Sequence, residues 1–219
     1  MAQYKDIFKI KHNDLSPGKG KILISEPFLQ DAYFQRSVVL LIEHNAKGSM
    51  GFVLNKKTDL YVNDYFDGLE NVSRIPIYLG GPVSPDHLYF IHSLGNIIPD
   101  SIQVDENLYF DGDFESLNYY IMSGQPIEGK VKFFLGYSGW TENQLNGEII
   151  QDSWLVSKSS GQKIMLADGE SFWKQSVELV GGSYRTWINY PKDPILNSLT
   201  ARLHTRQQLV SIPATTLCL

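Results

Sequence analysis

Along the chain, short apolar runs alternate with polar breaks rich in Gly, Pro, Asn and Asp, and the longest purely apolar run is Val38 to Ile42. In a strand, alternate side chains point to opposite faces. Five consecutive apolar residues inside Ser37 to His44 therefore predict an interior strand covered on both sides. Lys21 to Ser25 reads as another strand. Gly48, Gly51 and the β-favouring Phe52, Val53 and Leu54 predict a third, reached through a turn at Asn45 to Gly48, so the two form a hairpin. Clusters of β-branched and aromatic residues between turn signals predict strands at Ile77 to Leu79, Leu88 to His92, Gln103 to Leu108, Lys130 to Tyr137 and Trp154 to Ser157.

Helical patterns are fewer. Asp113 is placed to cap a helix carrying Phe114, Leu117 and Ile121 on one face, with Gly124 to end it. Thr141 and Gln144 have capping-box spacing for a short helix through Glu148. A third helix is predicted over Glu170 to Val180, burying Phe172, Trp173, Val177 and Val180 and closing at Gly181. Strands and helices interleave without a regular βαβ rhythm, which predicts an α+β fold in a single domain. No internal repeat or low-complexity tract marks a boundary.

Composition bears on partners more than on fold. Over 219 residues, 42% hydrophobic and 20% charged is the balance of a globular domain able to bury its own core. A net charge of −5 gives no global attraction for nucleic acid or for an anionic membrane, and no helix-turn-helix unit is recognisable, which argues against direct DNA binding. The acidic stretch Asp105, Glu106, Asp111, Asp113 and Glu115 and the amino-terminal Lys5, Lys9, Lys11, Lys19 and Lys21 read as solvated faces. The one cysteine, Cys218, can close no disulfide within the chain and build no Cys-based metal site. With Lys5, Asp6, Lys9 and Lys11 breaking up the amino end, a reducing, cytoplasmic location is expected, and no membrane association.

Candidate chemistry is sparse. Gly136-Tyr137-Ser138-Gly139-Trp140 resembles a G-x-S-x-G nucleophile elbow, but its second glycine comes one place too early. A tight glycine turn packing Tyr137 and Trp140 is the simpler expectation. Glu43, His44 and Asn45 close the central strand with acid-base side chains, yet Glu43 and His44 point to opposite faces and cannot easily pair. His87 and His92 also fall on opposite faces of a strand, so no metal and no cofactor are expected. Neither Gly18-Lys19-Gly20-Lys21 nor Gly80-Gly81-Pro82 has a phosphate-loop or dinucleotide pattern.

Five separated blocks carry a resemblance. They are Gly20 to Pro27, Phe34 to Asn45, Gly51 to Asn55, Gly80 to Val83, and Leu135 to Trp140 with Gln144-Leu145 and Trp154-Leu155. In this order they resemble the YqgE/AlgH family of bacterial proteins, over about residues 18 to 197. The resemblance implies a compact α+β fold with a mixed β-sheet curled towards a barrel and flanked by helices. It also brings the family's label of transcriptional regulator, and it implies no catalytic residues. It makes Arg36, Ser37, Glu43, His44, Asn45, Asn55, Gly80, Gly81 and Trp140 candidates for a common binding surface. Residues 1–197 are then the family domain and 198–219 a carboxyl-terminal extension of unknown role.

The expected function is a non-enzymatic binding or regulatory protein, with an unknown protein or small-molecule ligand seated beside the strand ends. The alternative is a small-molecule enzyme using Glu43 or His44 as general base. In either case Arg36, Glu43, His44, Asn45 and Asn55 are expected to gather round one depression. Arg36 lies roughly 23 Å from Glu43 along an extended strand, so it can join only if the sheet coils strongly or a loop folds across.

Overall fold

The computed structural model describes residue 8 and residues 10–192, so the extension at 198–219 lies outside the described residues. Ten strands form one open mixed sheet. They are β1 (Ile22–Ser25), β2 (Val38–Asn45), β3 (Gly48–Val53), β4 (Lys57–Tyr61), β5 (Pro76–Leu79), β6 (Val83–His92), β7 (Ile102–Asp105), β8 (Leu108–Phe110), β9 (Val131–Thr141) and β10 (Trp154–Ser157). Within residues 10–192, four α-helices accompany them: α1 (Phe114–Met122), α2 (Gln144–Ile150), α3 (Gly161–Met165) and α4 (Gly169–Val180), followed by a 3₁₀ segment at Gly182–Asn189. The order is β10-β1-β2-β3-β9-β6-β8-β7, with β5 joined to β9 and β4 to β5. Every pair is antiparallel except β5 with β9, and the end strands β10 and β7 do not pair, so the sheet stops short of a closed barrel.

The alternation along β2 divides the core. Val38, Leu40 and Ile42 pack with Phe52, Leu54, Phe134 and the α4 residues Phe172, Trp173 and Val177. Val39 and Leu41 face the other way, into Leu23, Val53, Trp140, Trp154 and the α2 residues Leu145 and Ile149. All five residues from Val38 to Ile42 are at most 3% exposed, and β1 and β3 flank the strand, which is the doubly covered interior strand that the sequence predicts. A third cluster sets Leu117 and Ile121 of α1 against Ile77, Phe90, Val131 and Phe133.

β9 is the strand on which the sheet turns. One edge pairs with β6; the other pairs with β5 through Phe133–Leu135 and then with β3 through Ser138–Thr141. At the changeover the β5–β6 connection presses against β9. A side chain added at Gly80 would meet the Gly136 carbonyl at 2.2 Å, and one at Gly81 would meet Tyr137 backbone at 2.3 Å. Gly136 itself has φ +64°, a conformation that disfavours residues with a Cβ.

Several expectations are corrected. The expected glycine turn at Gly136 to Trp140 is continuous strand, because β3 and β6 pair through it. The single strand expected at Gln103 to Leu108 is a hairpin, broken where the Asp105 carboxylate accepts from Glu106 N–H at 2.9 Å. Gln144 does accept from Thr141 N–H at 3.0 Å, but the Thr141 hydroxyl turns to the same amide, the helix starts from Asn143 in a left-handed conformation, and it runs to Ile150. Asp113 caps α1 as expected, through Ser116 N–H at 2.8 Å, although Phe114 is 38% exposed. Val180 of α4 is only half-buried. β4, α3 and the 3₁₀ segment have no counterpart in the expected elements.

Leu40 touches no solvent, so Leu40→Ala should lower unfolding free energy by about 2–5 kcal/mol in denaturant titration, the usual cost of emptying a core leucine site.

Candidate functional site

The nine candidate residues do not meet. At one end of β2, the β2–β3 hairpin holds Glu43, His44 and Asn45. Asn45 donates to the exposed Glu43 carboxylate at 2.5 Å and accepts from Lys47 N–H at 2.7 Å, so both side chains stabilise the turn itself. His44 Nδ1 lies 2.7 Å from the Ser49 hydroxyl. His44 and Asn45, but not Glu43, line a polar depression of ≈ 220 Å³ with Asn143 and Asn146.

Arg36 and Asn55 lie at the opposite end of β2. Asn55 is a buried amide spanning three backbones: it accepts from Val38 N–H at 2.9 Å and donates to the carbonyls of Arg36 (3.1 Å) and Gly169 (2.8 Å). It thereby ties the entry of β2 to the first turn of α4. Arg36 is 5% exposed with φ 49°, a strained conformation for a bulky residue, and its guanidinium lies 5.0 Å from the centre of the Trp173 ring. It donates to Glu170 at 2.5 Å and to the Tyr190 carbonyl. Burial pushes the Glu170 carboxyl up, but hydrogen bonds from Lys192 and Arg36, together with their charges, outweigh it and bring the group to about 2.

The other candidates are interior residues and form no exposed surface. Ser37 is fully buried, Gly80 and Gly81 make the backbone crossing, and the Trp140 indole donates to Glu148 at 2.9 Å beside Trp154, which donates to the same carboxylate at 2.8 Å. Ser138 is also fully buried, its hydroxyl donating to the Gly80 carbonyl at 3.0 Å, so it braces the crossing. His92 lies within 2.9 Å of the Ser101 hydroxyl and accepts from Leu94 N–H at 3.2 Å; burial pushes it down, towards the neutral form. Among the described residues, no group of His, Cys, Asp or Glu is arranged to hold a metal ion.

A larger cavity lies elsewhere. A cleft of ≈ 830 Å³ opens between β5, the end of α1, the start of β9 and the loop from α3 to α4. Val72, Ile75, Ile127 and Leu166 give it apolar walls, and Tyr78, Lys132 and Asp168 supply polar groups. Lys132 is only 4% exposed. Its ammonium donates to the Ala167 carbonyl at 2.5 Å and lies 3.4 Å from the centre of the Tyr78 ring. Burial, opposed by Asp168 and reinforced by Lys57, pulls the amine down to about 7. Burial and the Asp168 carboxylate push the Tyr78 hydroxyl up to about 12. Sequence reasoning passed over all three residues. For Lys132 a signal exists, a lone lysine in the apolar stretch Val131 to Leu135; Tyr78 and Asp168 carry none, since each looks ordinary in its own segment.

With its folded-state value below the ordinary one, Lys132 holds fewer protons in the native than in the unfolded chain between pH about 7 and 10.4. Its contribution to stability therefore rises with pH across that window, by at most about 1.4 kcal/mol per unit. Lys132→Met should flatten this rise in unfolding free energy measured by denaturant titration at successive pH values.

The fold and sequence have relatives. A family model described as AlgH-like matches residues 22–185. A UPF0301 protein of Parabacteroides distasonis is 67% identical over 198 residues, covering 90% of this chain and all of the relative. A second, from Bacteroides thetaiotaomicron, is 45% identical over 192 residues, covering 88% of this chain and 97% of the relative. The solution structure of the AlgH protein from Pseudomonas aeruginosa superposes with a TM-score of 0.61 at 26% identity, covering 78% of this chain and 93% of that one. A crystal structure of a Corynebacterium diphtheriae protein gives 0.63 at 20% identity, with 83% and 96% coverage, a likeness of fold. With a family model matched over residues 22–185 and a relative 67% identical over 198 residues, the chain belongs to the AlgH-like, UPF0301 family.

Proposed function

We propose that the protein is a non-enzymatic binding protein of regulatory type, whose ligand is a small amphipathic molecule carrying an acidic group, received in the cleft above Lys132. The observation that carries this reading is the buried lysine in the cleft floor. A lysine there costs more than an apolar residue of the same shape, and the Ala167 carbonyl and Tyr78 ring offset only part of its desolvation. An incoming acidic group would favour the ammonium form, so binding would be coupled to proton uptake. The cleft size falls within the range of small-molecule sites, with apolar walls and a few convergent polar groups.

The general-base alternative has less support, because Glu43 is exposed, bonded to Asn45 and outside the depression that His44 lines. A net charge of −5 favours action through a ligand or a protein partner over duplex DNA. The single cysteine suits a reducing, cytoplasmic setting, and no helix among the described residues is long and apolar enough to cross a membrane.

A ligand that binds only the folded chain raises its apparent stability. Screening cellular metabolites by thermal shift should yield acidic compounds that raise the melting temperature of the parent and of Glu43→Ala and Asn45→Ala, but not of Lys132→Met. Stabilisation kept by Lys132→Met and lost in Glu43→Ala would move the site to the hairpin.

A further inference from the structure

A second depression, of ≈ 280 Å³, meets the cleft at Lys57 and Asp168 and is otherwise dominated by Arg36, Lys56, Lys192 and Glu170. Its charges do not balance. Four cations face two carboxylates, and one of these, Glu170, is already engaged. Glu170 alone receives Arg36 at 2.5 Å, Lys192 at 2.6 Å and Lys174 at 3.4 Å. Asp168 faces the cleft as well, where its charge helps push the Tyr78 hydroxyl up. Among the described residues neither Lys56 nor Lys57 forms an ion pair with a carboxylate. Lys56 donates to the Gln35 carbonyl at 2.6 Å, and its amine is pulled down by burial first and then by repulsion from Lys192.

Arg36, Lys56 and Lys192 are also held by partners. Arg36 is fixed by Glu170, the Tyr190 carbonyl and the Trp173 ring, and its own carbonyl is bonded by Asn55. α4 begins at the rim with Gly169, and the Asp168 side chain caps none of its first-turn N–H groups. In a chain of net charge −5, a preorganised depression with two positive charges in excess is arranged for a compact dianion. We propose that this depression binds a phosphoryl group, through Arg36, Lys56, Lys57 and Lys192. The site stands apart from the reading of the neighbouring cleft and does not require it to be occupied.

Calorimetric titration of the full chain with inorganic phosphate, against chloride at matched ionic strength, tests the proposal. Phosphate should bind saturably where chloride does not. Lys192→Gln, at a side chain that is 60% exposed, and Lys56→Met should each weaken it about tenfold or more, the scale of one hydrogen bond between charged groups. Lys47→Gln, on the distant hairpin, should leave it unchanged. Phenyl phosphate binding more tightly than inorganic phosphate would assign the site to a phosphate ester reaching into the cleft; equal affinities would assign it to free phosphate. Phosphate and phenyl phosphate both binding no better than chloride, or Lys47→Gln weakening binding as much as Lys192→Gln, would overturn the proposal.

Discussion

The close approach of Gly80 and Gly81 to Gly136 is the constraint on which the architecture depends. With a side chain at any of these positions, the β5–β6 connection could not lie against β9, since the added atoms would fall 2.2–2.6 Å from backbone. With glycine there, one long strand pairs with β5 and then β3 along one edge and with β6 along the other. The Ser138 hydroxyl and Val53 N–H both bond the Gly80 carbonyl, fixing the same point from the β9 and β3 sides. The parallel β5–β9 pairing made possible by this crossing sets Tyr78 opposite Phe134, two residues from Lys132, and so brings the lysine under the tyrosine ring.

Asn55 then joins that corner to the rest. By bonding Val38, Arg36 and Gly169 it holds the start of β2 and the start of α4 in one frame, and Arg36 extends the frame to Glu170 and Tyr190. Buried polar groups are costly unless hydrogen-bonded, so the amide, and the guanidinium through its two terminal nitrogens, specify how α4 seats on the sheet. The result is a concentration of buried and half-buried cations at one corner of an acidic chain. The hairpin end of β2 shows the opposite condition: Glu43, Asn45 and Lys47 N–H satisfy one another locally.

Much of the fold was legible because it rests on local patterns. Val38 to Ile42 announces a strand buried on both faces, and Asp113 announces its helix through a single capping side chain. β4 escaped notice because Lys57–Tyr61 is a largely exposed edge with no apolar period, and α3 because five residues give too little periodicity. The candidate residues are scattered for a different reason. Gly80, Gly81, Ser37 and Trp140 are constrained by the interior, and a sequence motif does not distinguish a residue that shapes the backbone from one that meets a ligand. Lys132, Tyr78 and Asp168 meet only through the parallel pairing and the α3–α4 loop, contacts between segments that no single stretch of sequence displays.

The central claim is that the functional surface is the corner formed by β5, β9 and the start of α4, and not the β2–β3 hairpin. Its most direct test is amide chemical-shift mapping of the isotope-labelled protein with an acidic compound found to stabilise it. The account predicts that the largest shifts fall on Tyr78, Lys132 and Leu166 to Gly169, with His44 to Ser49 unmoved. Shifts concentrated on His44 to Ser49 and Asn143 to Asn146, with the Lys132 region silent, would contradict it.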